Sequence, residues 1–138
     1  MTDPCDAVEE RLRAAVERAA TGLPVVSVDS DEDAPDTRIV AMVDGATEDD
    51  KRPGRWLLDC RVDVIMEAEA GNNPEALATA WGKVLGRLRD SALPDMLSGP
   101  RAKVFGAQDF DIARSRTQHE WVRTLKFKAW AAALDVGR

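Results

Sequence analysis

Apolar residues near the start of the sequence recur every three or four positions, which is the spacing of an amphipathic helix. Asp3-Pro4 combines a favoured N-cap with a favoured first helical residue, and Gly22 and Pro24 predict that the helix ends near Ala20. The predicted buried stripe consists of Val8, Leu12, Ala15, Val16 and Ala19.

Five segments have the alternation or β-branched content of strands. They are residues 25–28, 38–43, 56–68, 103–106 and 120–130. The clearest alternation is in 56–68, where one face carries Leu58, Cys60, Val62, Val64 and Met66 and the other carries Asp59, Arg61, Asp63 and Glu67. Polar composition predicts an exposed loop at 29–36 and an exposed loop or hairpin tip at 46–55, and residues 109–118 are expected to connect the last two strands.

A second helix is predicted from Asn73-Pro74 onward, with the apolar stripe Leu77, Trp81, Val84, Leu85 and Leu88. Gly82 and Gly86 in this helix predict a close approach to the sheet, and residues 93–97, LPDML, predict a short turn that begins at proline. The order α-β-β-β-α-β-β indicates one α+β domain spanning residues 1–138. We expect a four- to five-stranded mixed or antiparallel sheet with two main helices packed on one face.

Composition and charge narrow the class of protein. No apolar run approaches the roughly 18 residues of a membrane span, and the acidic N-terminus differs from a secretory signal. Cys5 and Cys60 have no metal-ligand spacing, which favours two free thiols. Residues 1–70 carry 8 Lys/Arg and 18 Asp/Glu, so −10, whereas residues 71–138 carry 11 and 7, so +4. This division suggests nucleic-acid contact or self-complementary packing, or it reflects a scattered solvated surface.

Candidate catalytic chemistry is sparse. His119 and Glu120, as neighbours on a strand, would point to opposite faces, and no sequence motif supplies a nucleophile or a phosphate-binding loop. The acidic run DSDED, residues 29–33, lacks the glycine and glutamate of a calcium loop. Asp59, Asp63 and Glu67 are too far apart along a strand to pair directly, so cross-strand ion pairs with Arg61 are expected. The sequence therefore predicts no catalytic residue, cofactor or metal.

The C-terminal segment HEWVRTLKFKAW, residues 119–130, tests the nucleic-acid hypothesis. Lys126 and Lys128 share one face of the predicted strand, and Arg114 and Arg116 are placed in the preceding loop. Trp121, Leu125 and Phe127 lie on the opposite strand face, where they complete the core, whereas an RNA-binding sheet exposes aromatic and basic residues together. We therefore interpret the segment as a terminal strand that is apolar inward and basic outward.

Five segments follow one another along the chain: GLPVVSVD, a DTRIVAMVDG strand, WLLDCRVDVIMEAEA, the helix NNPEALATAWGKVLGRL and the ending HEWVRTLKFKAW. This succession resembles the tail terminator, or tail completion, proteins of long-tailed phages and phage-like particles. The resemblance covers nearly the full chain and rests on the pattern of elements. It implies a small α/β protomer without catalytic residues that forms a hexameric ring on the finished tail tube. That ring stops tube polymerisation and provides the surface that joins the head.

The resemblance implies the partners and the location of the chain. Expected partners are further copies of itself, the tail tube protein and a head-tail connector protein, with non-specific proximity to DNA in the ring channel and no membrane. The location would be the head-proximal end of the tail in the virion, after assembly in the host cytoplasm. Candidate interface residues are Arg114, Arg116, Lys126, Lys128, Asp59 and Asp63. The alternatives are a small cytosolic interaction domain of adaptor or immunity type, another head-tail connector or neck protein, and an enzyme with a dispersed site.

Overall fold

A computed structural model describes residues 3–26, 37–68 and 74–134. Its elements, in chain order, are α1 Cys5–Glu17, β1 Val25–Val26, β2 Arg38–Glu48, β3 Arg55–Glu67, α2 Pro74–Leu88, α3 Leu93–Leu97, β4 Ala102–Arg116 and β5 Glu120–Ala133. The strands form one mixed sheet in the order β1-β2-β3-β5-β4. β1 is parallel to β2, and the remaining pairs are antiparallel. The predicted α+β class and element order are confirmed, with α3 as an additional short helix.

The helices pack on one face of the sheet, which we call the inner face. The alternation predicted for β3 is confirmed, because Leu58, Cys60, Val62, Val64 and Met66 are all buried on this face. They share one core with the buried α2 residues Leu77, Trp81, Val84 and Leu88 and the α1 residues Val8, Leu12, Ala15 and Val16. The opposite face of the sheet is called the outer face.

Local hydrogen bonds and backbone angles explain where α1 begins and ends. The Asp3 carboxylate accepts a hydrogen bond from the Cys5 backbone N–H at 2.9 Å, which satisfies one of the free donors at the helix start. The helix ends at Glu17, three residues before the predicted position, and Ala19 lies outside it. Positive φ angles of 54° at Ala20 and 80° at Gly22 then turn the chain toward β1.

Two strands extend farther than predicted. β2 continues to Glu48 through an irregularity between Val43 and Gly45, and the turn at residues 49–54 lies within the loop or hairpin tip predicted at 46–55. β4 continues to Arg116 through irregularities after Val104 and Gln108, so the connecting segment predicted at 109–118 is wrong up to Arg116. These bulges add residues that interrupt the alternation on which the sequence prediction depended.

The expectation for the glycines of α2 is also wrong. Gly82 and Gly86 are exposed, and a Cβ at either position would meet nothing within 4 Å, so neither glycine permits a close approach to the sheet. The predictions for residues 27–36, including the acidic run, and for Asn73 lie outside the described residues.

Candidate functional site

The inner face of β4 is covered by helices at one end and open at the other. Ala102 and Val104 are buried near the start of the strand, whereas Ile112 is 46% exposed although it pairs with the fully buried Leu125 of β5. Strand alternation places Arg114 and Arg116 on this same uncovered part of the inner face. Charged side chains therefore occupy positions where a covered strand would place core residues.

The uncovered surface forms a pocket of about 330 Å³ beside the start of α2. Its lining consists of Pro74, Leu77, Arg114, Ser115, Arg116, Trp121 and Arg123, and we call it the arginine pocket. The sheet register places Arg114 opposite Arg123 and Arg116 opposite Trp121. The Arg116 guanidinium lies 5.4 Å from the Trp121 ring centroid, a cation–π contact that helps to orient the side chain.

The electrostatics of the arginine pocket are one-sided. Arg114 and Arg123 are directly opposed across two strands, an arrangement in which like charges destabilise the pair. No carboxylate is among the described residues that line the pocket, and none of the three arginines forms a salt bridge with a described residue. The amino-terminal end of α2, at Pro74, adds the positive end of a helix dipole. The pocket therefore favours an anionic partner that relieves this repulsion.

A groove of opposite charge lies along α1. It has a volume of about 590 Å³ and is lined by Asp6, Glu9, Glu10, Arg13, Ala14, Glu17 and Arg101, and we call it the acidic groove. Glu10 forms a 2.6 Å salt bridge with Arg101, and Glu9 accepts a 2.9 Å hydrogen bond from the Val43 backbone N–H. Asp6 and Glu17 are exposed and form no salt bridge within the described residues. Asp6 and Glu17 are therefore the exposed carboxylates of the groove that lack a salt bridge among the described residues, and Arg13 adds a positive charge beside them.

The two surfaces are distinct on the protomer. Arg101 of the acidic groove immediately precedes β4, and Arg114 of the arginine pocket lies 13 residues later, near the end of the same strand. Glu9 of the acidic groove accepts from Val43, which lies at the level of Cys60 and Phe127, so the groove also reaches the middle of the sheet. Among the described residues the two surfaces share no lining residue, so one protomer presents an anionic surface and a separate cationic surface.

The predicted basic interface residues fall on two different faces. Arg114 and Arg116 contribute to the arginine pocket on the inner face, whereas Lys126 and Lys128 lie on the outer face. The outer-face lysines have acidic neighbours, because Lys126 pairs with Asp111 of β4 and Lys128 pairs with Asp59 of β3. The structure therefore does not bring the four basic residues together into one surface.

The predicted acidic interface residues also differ from each other. Asp59 is exposed, but Asp63 is only 5% exposed and is fully engaged within the protomer. Both Asp63 carboxylate oxygens accept from Arg61 Nε, at 3.1 and 3.0 Å, and one also accepts from the Thr124 hydroxyl at 2.6 Å. The hydrogen bond with Asp63 raises the pKa of the Arg61 guanidinium. Arg61 pairs along its own strand, contrary to the cross-strand pairing expected.

His119 and the two cysteines lie in different environments. His119 is exposed in the turn between β4 and β5, where its carbonyl accepts from the Ala68 backbone N–H at 2.9 Å. Burial raises the pKa of the Cys60 thiol to about 12, and burial together with the nearby Asp3 carboxylate raises the pKa of Cys5 to about 12. Both thiols are therefore poor nucleophiles near neutral pH.

Arg123 is the pocket residue that the sequence analysis missed. Strand alternation places it between Trp121 and Leu125 on the apolar inner face, so a charged residue interrupts an otherwise apolar stripe. That interruption was a detectable signal for an uncovered inner face. Trp121 was expected in the core, and it contacts the core while also lining the pocket.

Comparison of the sequence with models of known protein families gives no match, and comparison with curated proteins gives none either. Within the described residues, no helix combines the length and apolar character needed to cross a bilayer.

Proposed function

We propose that this chain is a structural subunit that assembles head to tail into a ring and acts as a phage tail terminator. The observation that carries the proposal is that one protomer has an acidic groove and an arginine pocket that share no lining residue among the described residues. Two different, complementary surfaces on one protomer suit heterologous contacts, which close into a ring when the rotation between neighbours permits it.

Charge sets the orientation of such a contact more than its strength. Exposed ion pairs contribute only about 0–1 kcal/mol each, so apolar contact must supply much of the adhesion. The arginine pocket offers apolar surface from Trp121 and Pro74, with the exposed Ile112 on the same face. A neighbour's α1 carboxylates would neutralise the opposed arginines while the adjacent apolar surface is covered.

The tail terminator role rests on the resemblance in the order of elements. In that role the ring binds the last layer of tail tube subunits, prevents further addition and presents its other side to a head-tail connector protein. The DNA channel would pass through the ring, with non-specific proximity of the wall to phosphates. The finished protein would reside in the virion after assembly in the host cytoplasm.

A charge-swap experiment tests the head-to-tail contact. One variant carries Arg114→Glu and Arg116→Glu, and the other carries Asp6→Arg and Glu17→Arg. All four positions are exposed, so both variants should fold. Native mass spectrometry should show rings for the wild type, protomers for each variant alone, and rings of alternating subunits when the variants are mixed in equal amounts.

A matched control identifies which basic face is used. Lys126→Glu with Lys128→Glu reverses the outer-face pair and should leave ring mass unchanged if the arginine pocket forms the contact. If the lysine variant loses its rings and the arginine variant keeps them, the outer face forms the interface. A wild-type chain that stays monomeric at all concentrations would refute the ring and favour the small interaction-domain alternative.

The terminator function has its own test. The wild-type ring, added to the tail tube protein encoded in the same genome, should arrest tube growth and fix tube length in electron micrographs. If rings form but tube length is unaltered, the proposed ring assembly stands and the terminator role is excluded.

A further inference from the structure

A small cavity lies between the three helices, on the side of α1 next to the acidic groove. Its volume is about 30 Å³, and its lining consists of Arg11, Ala14, Ala15, Arg18, Arg87 and Met96, of which Ala14 also lines the acidic groove. Three arginines from two helices thus surround one cavity, and no carboxylate is among the described residues that line it. We call it the interhelical cavity.

The Arg87 side chain lines this cavity and also carries an unsatisfied donor. Its Nε is buried and has no hydrogen-bond partner among the described residues. A buried donor without a partner is unfavourable, and such donors in folded proteins are normally satisfied by protein, water or an ion. Arg87 lies in the last turn of α2, where a positive charge interacts favourably with the helix dipole. This dipole interaction does not explain why the Arg87 Nε is buried.

The other two arginines are positioned by backbone contacts. Arg11 Nε donates to the Met96 carbonyl at 3.2 Å, which ties α1 to α3 and leaves the terminal nitrogens of Arg11 as donors. Arg18 is the C-cap residue of α1 and is exposed. The guanidinium of Arg11 is therefore fixed by a hydrogen bond, that of Arg87 is partly buried, and that of Arg18 lies at the exposed rim of the cavity.

We infer that the interhelical cavity binds a single tetrahedral oxyanion of the phosphate class. A phosphate group presents several acceptor oxygens in different directions, which suits guanidinium donors that arrive from separate helices. A carboxylate has two coplanar oxygens and matches one arginine fork. The volume exceeds the roughly 10–15 Å³ that one water needs, and it is too small for an extended chain.

The bound oxyanion would connect the ends of two helices. It would accept from the terminal guanidinium nitrogens of Arg87 and Arg18, and so tie the last turn of α2 to the end of α1. The source of the group is either free inorganic phosphate or a phosphate ester presented by a partner molecule. The site uses none of the charged residues of the two surfaces in the proposed ring, so its existence does not depend on that proposal.

Thermal unfolding tests the site directly. Inorganic phosphate should raise the Tm of the wild type above its value in sodium chloride of equal ionic strength. At a tenfold excess over Kd, the rise should be about 5 °C. Arg87→Gln should abolish this phosphate-specific rise, whereas the control Arg13→Gln should retain it, because Arg13 is on α1 but lines the acidic groove.

A second variant and other ligands distinguish the remaining explanations. If Arg87→Gln fails to fold, the exposed Arg18→Gln serves in its place and should weaken phosphate binding in isothermal titration calorimetry at least threefold. Phosphoserine that binds more tightly than phosphate indicates an ester ligand, and weaker binding indicates the free ion. Three results would overturn the inference: no phosphate-specific rise, an equal rise in the arginine variants, or binding of a single-stranded oligonucleotide without binding of phosphate.

Discussion

Val62 lies at the centre of the sheet and provides the sharpest test of the fold. Its side chain is fully buried on the inner face of β3, between Ala41 of β2 and Leu125 of β5, which are also fully buried. Val62→Asp would remove about 1.5–3 kcal/mol of apolar burial and add a desolvation cost of several kcal/mol for the carboxylate. The total is comparable to the roughly 5–15 kcal/mol stability of a domain, so we expect no cooperative folding.

A milder change at the same position gives a measurable magnitude. Val62→Ala removes two carbon atoms, worth about 1.6 kcal/mol at about 0.8 kcal/mol each, and leaves a small cavity. The free energy of unfolding should therefore fall by about 2–3 kcal/mol. Urea unfolding followed by far-ultraviolet circular dichroism measures this change, and the near-ultraviolet signal of the tryptophans reports the loss of fixed packing.

Asp59→Ala is the matched control, because Asp59 lies on the outer face of the same strand and is exposed. Its effect should stay within about 0.5 kcal/mol. A Val62→Asp protein that unfolds cooperatively near the wild-type midpoint would show that the inner and outer faces of β3 have been assigned the wrong way round. A Val62→Ala effect as small as that of Asp59→Ala would lead to the same conclusion.

Four further outcomes are expected. Sodium chloride at about 1 M reduces the screening length to about 3 Å and should weaken ring formation without unfolding the protomer; unchanged ring mass and assembly rate would refute a role for charge. His119→Ala should leave ring mass and protomer stability unaltered, and loss of function in a variant that still forms rings would reopen a catalytic or ligand role. With pKa values raised to about 12, Cys5 and Cys60 should react with iodoacetamide at pH 8 on the order of a thousandfold more slowly than a free thiol. Because these values exceed the ordinary 9.0 of the unfolded chain, the free energy of unfolding should decline above pH 9, and a constant value there would contradict the raised pKa values.

The sequence predicts best those elements in which the buried residues recur at one regular spacing. The alternation of β3 and the apolar stripe of α2 correspond to one continuous buried face each, and both are found as expected. At residues 93–97 the sequence predicted a turn that begins at proline, and the structure has the short helix α3 there, with Pro94 after its first residue. In β3 and α2 the local pattern and the tertiary packing favour the same structure.

The second half of β4 could not be predicted because tertiary context determines it. Residues 109–116 are all exposed, so no alternation of burial marks them as a strand. Their pairing with β5 and the bulge around Asp109, whose φ is 57°, hold them in the sheet. The division of the basic residues between two faces follows from that pairing, which a loop prediction cannot provide.

The uncovered inner face of β4 connects the fold to the proposed assembly. A sheet edge with exposed apolar residues is an association site unless charge or irregularity protects it. β4 carries both kinds of feature, with Phe110 and Ile112 partly exposed and with bulges and arginines nearby. The bulges disfavour continuous strand addition, while the directly opposed arginines disfavour contact with another copy of the same surface. The contact that remains favourable is with an anionic surface of a different shape, and α1 of a second protomer provides one. The proposed head-to-tail association is thus supported by the same features that would prevent two arginine pockets from pairing with each other.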